Sequence, residues 1–260
     1  MSESDMAAPP HVRELTLEDF APFVPSAAEI RESRIVGFNS RDRRSQAFSV
    51  LRTMLSKRME EKNCRLLGIT SAAPDAGKSF LSMNLAASLS RVTDEPVFLV
   101  DLDLRRASVA GQIGMECDGG IARLLSGELS GIEKVGRRIE GTRLVVFPTA
   151  RVTDASDEYV AGAHFAALID ELRDRCPTAT IIFDLPPAFA SDDAMLIMQR
   201  LDGYVIAVDS GRTRKSQISE VLRHFHPKPC IGAILNRYRG GIMDSYGYGY
   251  GSYAYSAYYD

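Results

Sequence analysis

Gly77-Lys78-Ser79 closes a short loop, Ser71 to Ser79, that follows the apolar run Leu66–Thr70 and precedes a helical pattern carried by Leu81, Leu85 and Leu89. Strand, loop, Gly-Lys-Ser and helix come in the order of a phosphate-binding loop. Backbone N–H groups of such a loop, and the positive end of the helix dipole, face phosphate oxygens. Gly77 would let the backbone approach closely, Lys78 would reach the β- and γ-phosphates of ATP, and Ser79 would ligate Mg²⁺. Pro74, Asp75, Ala76 and Phe80 are the remaining loop positions expected around the nucleotide. The generic pattern has Gly where this chain has Ala72.

Two further apolar runs end in carboxylates. Val97–Val100 leads into Asp101-Leu102-Asp103-Leu104-Arg105, and Ile181–Phe183 leads into Asp184-Leu185-Pro186-Pro187. In open α/β sheets ligands sit beyond the carboxyl ends of strands, which puts Asp101, Asp103 and Asp184 on the rim of the phosphate loop. Carboxylates there suit Mg²⁺ coordination, and one of them can take a proton from an attacking hydroxyl. The plainer role of any one is to cap the loop that follows its strand.

A third feature is the tail. Tyr246, Tyr248, Tyr250, Tyr253, Tyr255, Tyr258 and Tyr259 stand among Gly, Ser and Ala in the last fifteen residues. Phenol nucleophiles and an ATP site in one chain point to an enzyme that phosphorylates itself. The plainer reading is a Gly/Tyr low-complexity segment that self-associates through aromatic contacts.

The elements that must position these groups follow from periodicity. Short apolar runs (Leu66–Thr70, Val97–Val100, Leu144–Phe147, Thr180–Phe183, Tyr204–Val208, Ile231–Leu235) read as strands buried on both faces. Helical patterns lie over Ser45–Arg58, Lys78–Ser90, Glu158–Arg173, Asp193–Arg200 and Thr213–Phe225. In the first of these, Ala47, Val50, Leu51, Met54 and Leu55 mark the expected apolar stripe. The alternation predicts an α/β fold with a doubly wound, mostly parallel sheet. Residues 1–40 read as a mostly extended arm, 41–241 as the nucleotide-binding domain, and 242–260 as a flexible tyrosine-rich tail.

At 260 residues the chain can bury one substantial core, and 45% hydrophobic with 25% charged residues is ordinary for a globular protein. A formal net charge of −3 gives no basic excess, so no nucleic-acid partner is expected. Cys64, Cys117, Cys176 and Cys230 show no CxxC spacing and read as reduced thiols. The start lacks the build of a signal peptide and no apolar run reaches the roughly 20 residues of a membrane span, so a cytoplasmic chain is expected.

The ordered set of motifs resembles the bacterial tyrosine autokinases of capsule and exopolysaccharide synthesis, the BY-kinases. Thr70-Ser71, Pro74 and Gly77-Lys78-Ser79 are similar to that family's phosphate loop, with Asn84-Leu85-Ala86 continuing the match. Asp101-x-Asp103-x-Arg105 resembles its second motif, and Asp184-x-Pro186-Pro187 with Asp193-Ala194 its third. Gly120-Ile121 and Leu124–Gly127 are similar to the segment after the second motif, and Gly232-x-x-Leu235-Asn236 to the strand whose Asn lies near the base. The resemblance implies a P-loop sheet related to the ParA/MinD ATPases, with the γ-phosphoryl group of ATP moved to tyrosines of a neighbouring subunit's tail. It assigns Lys78 and Ser79 to phosphate and Mg²⁺, Asp103 and Asp184 to the metal, and Arg105 and Asn236 to the nucleotide. Asp101 becomes the candidate for activating the phenol, whose unperturbed pKa is about 10; spacing does not decide which aspartate is the base. A separate transmembrane activator of chain-length-determinant type, a phosphatase, a homo-oligomer formed by tail exchange, and recruitment to the inner membrane face are implied too.

The chain departs from that family in its first helix and beside the loop, where Asp75 and Phe80 replace smaller or different residues. That family's first helix carries Glu, Arg and Arg at three-residue steps, where this chain has Gln46, Ser49 and Arg52. A positioning ATPase of the ParA/MinD class would carry a lysine early in the loop, where Ala73 stands. A non-catalytic nucleotide-binding scaffold of the polysaccharide machinery is the other alternative.

Overall fold

A computed structural model describes residues 13–152 and 156–238. Among them an eight-stranded sheet forms in the order β1-β4-β5-β3-β6-β2-β7-β8. The strands are β1 (Ala21–Phe23), β2 (Leu66–Ser71), β3 (Val97–Asp101), β4 (Arg137–Ile139), β5 (Leu144–Phe147), β6 (Thr180–Asp184), β7 (Gly203–Asp209) and β8 (Cys230–Asn236). All pairings are parallel except β4 with β5. β4 reads Arg137-Arg138-Ile139, too short and too polar to show as an apolar run, so pairing with its neighbours defines it.

Successive side chains of a strand face opposite sides, and β3 shows the consequence. Val97 and Leu99 join the core on one side of the sheet, Phe98 and Val100 the core on the other. The first side is covered by α2 (Ser45–Glu61) and α3 (Lys78–Leu89), through Phe48, Leu55, Met59, Leu81 and Leu85. The second is covered by α7 (Ala163–Arg175), α8 (Asp193–Met198) and α9 (Lys215–His224), through Leu168, Ile197 and Val221. The shorter helices are α1 (Ala27–Glu32), α4 (Val109–Gln112), α5 (Ile121–Leu125) and α6 (Ser156–Ala161). Burial on both faces is why these strands carry unbroken apolar runs.

The stretch expected as an extended arm packs on its own domain from residue 13 onward. β1 pairs with β4, Leu15 N–H donates to Arg175 O at 2.7 Å, and Ser26 N–H donates to Ile113 O at 2.9 Å. Phe20 meets Phe98 and Phe147 edge-on, at 5.5 and 5.6 Å between centroids. A fully buried Phe contributes about 2–3 kcal/mol, and each such ring pair about 0.5–1.5 kcal/mol more. Buried Asn84 of α3 closes the far end of this stretch, its Oδ1 accepting from Val36 N–H at 2.8 Å and Gly37 N–H at 3.0 Å.

Helix α2 also turns differently from its expected stripe. Phe48, Leu55 and Met59 face inward, whereas Val50 and Met54 are 53% and 54% exposed. Arg52 bends inward, Nη1 donating to Ser88 O at 3.1 Å at the C-terminal end of α3.

Candidate active site

β2 delivers the phosphate loop. Ser71 Oγ donates to Ala73 O at 2.6 Å and starts the turn. Asp75 and Gly77 have φ of +61° and +86°, left-handed conformations that let successive N–H groups converge on one side of a loop. At Gly77 the requirement is also steric, because a Cβ there would run into Asn236 Nδ2. Asn236, at the end of β8, donates through that Nδ2 to Ala76 O at 2.8 Å. In this structure its contact is with the Gly-Lys-Ser loop itself.

Lys78 and Ser79 open α3, as a phosphate loop requires. Lys78 is buried and its Nζ lies 3.4 Å from Asp103 Oδ2. Parallel pairing of β3 with β6 sets Asp101 opposite Asp184, and both are fully buried. Asp184 Oδ1 accepts from Ser82 Oγ at 3.0 Å, and the Ser79 side chain is near enough to this carboxyl to lower its pKa. Asp184 Oδ2 is buried with no hydrogen-bond partner. Burial raises the Asp184 pKa to about 6, against the pull of Lys78.

Asp101 differs. Its Oδ1 accepts from Asp103 N–H at 3.2 Å, and Oδ2 from Ser108 N–H at 3.2 Å and Val109 N–H at 3.1 Å. Burial first, and the charge of Asp184 next, hold its pKa well above the ordinary carboxylate range. Three N–H bonds use three of about four acceptor positions on a carboxylate. Asp101 therefore fixes the loop that carries Asp103, and retains one free acceptor position.

The loops are cross-tied. Thr70 Oγ1 donates to Pro186 O at 2.8 Å, Ala188 N–H to Ser71 O at 2.8 Å, and Leu102 N–H to Asp184 O at 2.9 Å. Arg106 Nη1 meets Asp75 Oδ1 at 2.9 Å, joining the second motif to the phosphate loop. Arg105 points elsewhere: its Nε donates to Ser156 Oγ at 2.8 Å and lies 3.5 Å from Asp193 Oδ2. The Phe80 ring packs on Phe48 at 5.7 Å, which leaves its backbone as the part available to a phosphate. Pro74 is exposed at the loop's turn and Ala76 is buried beneath it. Ser82, Asn84 and Arg106 were not singled out as site residues from sequence. Ser82 carried a usable signal, as a polar residue one helical turn past Lys78 and so on the same helix face.

The donor set fits a magnesium nucleotide. Among the described residues no three His, Cys, Asp or Glu side chains form a metal cage of their own. Mg²⁺ commonly takes only one or two carboxylates, its other ligands being water and substrate phosphates. The unpartnered Asp184 oxygen beside Ser79 supplies such a ligand position. The tyrosine cluster, Tyr246 to Tyr259, lies outside the described residues.

Fold and loop together define a P-loop nucleotide-binding α/β protein. No protein-family model matches the chain. Among sequence relatives, tyrosine-protein kinase ptk of Acinetobacter johnsonii is 29% identical over 200 residues, 76% of this chain and 27% of that protein. Tyrosine-protein kinase YwqD of Bacillus subtilis is 28% identical over 208 residues, 78% of this chain and 85% of that one. The succinoglycan biosynthesis transport protein ExoP of Rhizobium meliloti is 29% identical over 218 residues, 80% of this chain and 26% of ExoP. The chain thus spans about a quarter of two of these relatives and most of the third. Of solved structures, the kinase domain of Escherichia coli tyrosine kinase ETK superposes with a TM-score of 0.72 at 25% identity, covering 84% of this chain and 85% of that one. MinD from Pyrococcus horikoshii, complexed with Mg-ADP, shares the fold at a TM-score of 0.57 and 20% identity, covering 67% of this chain and 71% of that one. In sequence and fold the chain is similar to bacterial tyrosine kinases.

Proposed function

We propose that the chain is an ATP-dependent protein-tyrosine kinase that phosphorylates its own C-terminal tyrosines, between subunits, within a polysaccharide polymerisation and export machinery. The observation that carries this reading is the buried Lys78–Asp103 pair, held in a phosphate loop against Asp101 and Asp184. Kinases and a polysaccharide transport protein among the relatives support it.

The chemistry follows from the charges. ATP is the substrate, and Lys78 trades Asp103 for phosphate oxygens when it binds. Ser79, Asp103 and Asp184 are the residues that would hold Mg²⁺, and the metal would supply charge neutralisation at the transferred group. A tyrosine oxygen forms a bond to the γ-phosphorus, the bond to the β–γ bridging oxygen breaks, and ADP leaves with that electron pair. Asp101 accepts the phenolic proton through its remaining acceptor position. Its three N–H bonds favour the ionised form needed for that step, while burial and Asp184 oppose it.

Partners follow the same reading: a transmembrane activator, a phosphatase, and copies of the chain exchanging tails at the inner face of a membrane. Among the described residues no helix is long and apolar enough to cross a membrane. Each phosphate adds roughly −1.5 to −2 charges, so full phosphorylation of the tail should drive an oligomer apart by repulsion. Mass spectrometry of the tail after incubation with Mg-ATP and the cytoplasmic part of a chain-length-determinant protein tests the reading. Phosphotyrosine in the wild type and none in Lys78→Ala is expected. Nucleotide binding without transfer would leave a scaffold.

A further inference from the structure

At the opposite end of the sheet, Arg91, Arg138 and Arg143 line a pocket of about 570 Å³ with Asp94, Leu17 and Val92. Val97 N–H, at the start of β3, donates to Arg143 O at 3.0 Å, whereas Asp101 ends that strand. Four residue steps of about 3.3 Å each separate the two levels by roughly 13 Å, so the pocket is distinct from the nucleotide site.

We propose that this pocket binds a phosphate monoester carrying an apolar body. The three guanidinium groups come from different elements, Arg91 after α3, Arg138 in β4 and Arg143 beyond the β4–β5 turn. Arg91 has a local role, its Nη1 donating to Gly37 O at 3.0 Å near the end of α3. That role does not extend to the other two. Arg143 Nη2 lies 3.6 Å from Asp94 Oδ1, an aspartate whose side chain is fully exposed, and such pairs hold weakly. Arg138 Nε is buried with no hydrogen-bond partner. A buried guanidinium N–H left unpaired is costly, and an anion in the pocket beside the same guanidinium would offset that cost through charge.

Charge favours the same occupant. Three arginines against Asp94 leave a formal +2 on the lining, which outweighs the roughly −0.5 charge that the C-terminal end of α3 presents there. Guanidinium forks match phosphate oxygens in geometry. Leu17 and Val92 offer apolar contact that inorganic phosphate would not use, and a concave pocket suits a small ester better than a flat bilayer.

Calorimetry of the full chain with phenyl phosphate, with the nucleotide loop saturated by Mg²⁺ and a non-hydrolysable ATP analogue, tests this. Saturable one-to-one binding, tighter than that of inorganic phosphate, is expected. Arg138→Gln and Arg143→Gln should each weaken it about tenfold or more, the effect of losing one charge-assisted contact. Circular dichroism checks folding, and if Arg138→Gln fails to fold, Arg143→Gln decides, since that side chain is 43% exposed. Absence of saturable binding, or equal binding in the folded variants, would overturn the proposal. So would phenyl phosphate binding no tighter than inorganic phosphate, or flotation with phosphatidylserine vesicles replacing ester binding.

Discussion

Lys78 Nζ lies 3.4 Å from Asp103 Oδ2, and both side chains are nearly fully buried. The loop's cation is therefore paired within the protein, and on the proposed function nucleotide binding would exchange one anion for another. Removing one partner of a buried pair strands the other charge, at a cost of about 3 kcal/mol or more.

Lys78→Ala should abolish tail phosphorylation to below about a hundredth of wild type, read by mass spectrometry. It should also lower Tm by roughly 6–12 °C, at about 2–4 °C per kcal/mol for a chain of this size. Adding Asp103→Asn should restore much of the Tm and none of the activity. A Lys78→Ala Tm equal to wild type would mean that the pair carries no stability.

Asp101→Asn separates proton acceptance from loop anchoring. Loss of phosphotransfer by about a hundredfold, with nucleotide affinity within about threefold of wild type, is expected of a base. Wild-type activity should rise with pH as Asp101 and Asp184 ionise, and the variant should keep only the part of that rise that Asp184 supplies. Nucleotide affinity falling in step with activity would make Asp101 an anchor of the Asp103 loop and nothing more.

Asp184 should make the nucleotide-free protein less stable at neutral pH. Its pKa rises from 3.8 to about 6 on folding, with burial as the first cause. A raised carboxyl binds its proton more tightly folded than unfolded, so ionising it costs stability. That cost is absent below the unfolded value, grows as pH climbs to about 6 and stays constant above, at about 3 kcal/mol. Asp184→Asn should therefore raise Tm at pH 7 and make no difference near pH 3.5, while metal-dependent nucleotide binding falls. Thermal scans at the two pH values decide it.

Gly77→Ala combines an unfavourable positive φ with a Cβ driven against Asn236. Nucleotide affinity should fall about tenfold or more, measured by fluorescence of a labelled ATP analogue. Asn236→Ala removes the Ala76 tie and should cost about 1 kcal/mol of stability, seen as a lower urea midpoint. If Asn236→Ala in addition left nucleotide affinity untouched, its contact with the loop would be purely structural.

The six strands expected from apolar runs all appear, because burial on both faces writes itself as unbroken Val, Ile, Leu and Phe. β1 and β4 left no such trace. They are three residues each, and Arg137 and Arg138 hold their place by backbone pairing, which does not depend on side-chain type. The stripe on α2 was misplaced by part of a turn, since Val50 and Met54 suit an inward face as well as Phe48 and Met59 do. Only the position of α3 selects among them.

At the site, residue type and order fixed which groups lie on the rim, namely Lys78, Ser79, Asp101, Asp103 and Asp184. They did so because a strand, a Gly-Lys-Ser turn and strand-end carboxylates are each local patterns. What those groups do to one another needed the folded chain. Register between β3 and β6 set Asp101 against Asp184, backbone N–H groups claimed Asp101, and β8 brought Asn236 under the loop. Arg105 was drawn aside to Ser156 and Asp193. Hydrogen bonds and ion pairs between segments far apart in sequence depend on distance and angle, and only tertiary packing sets those.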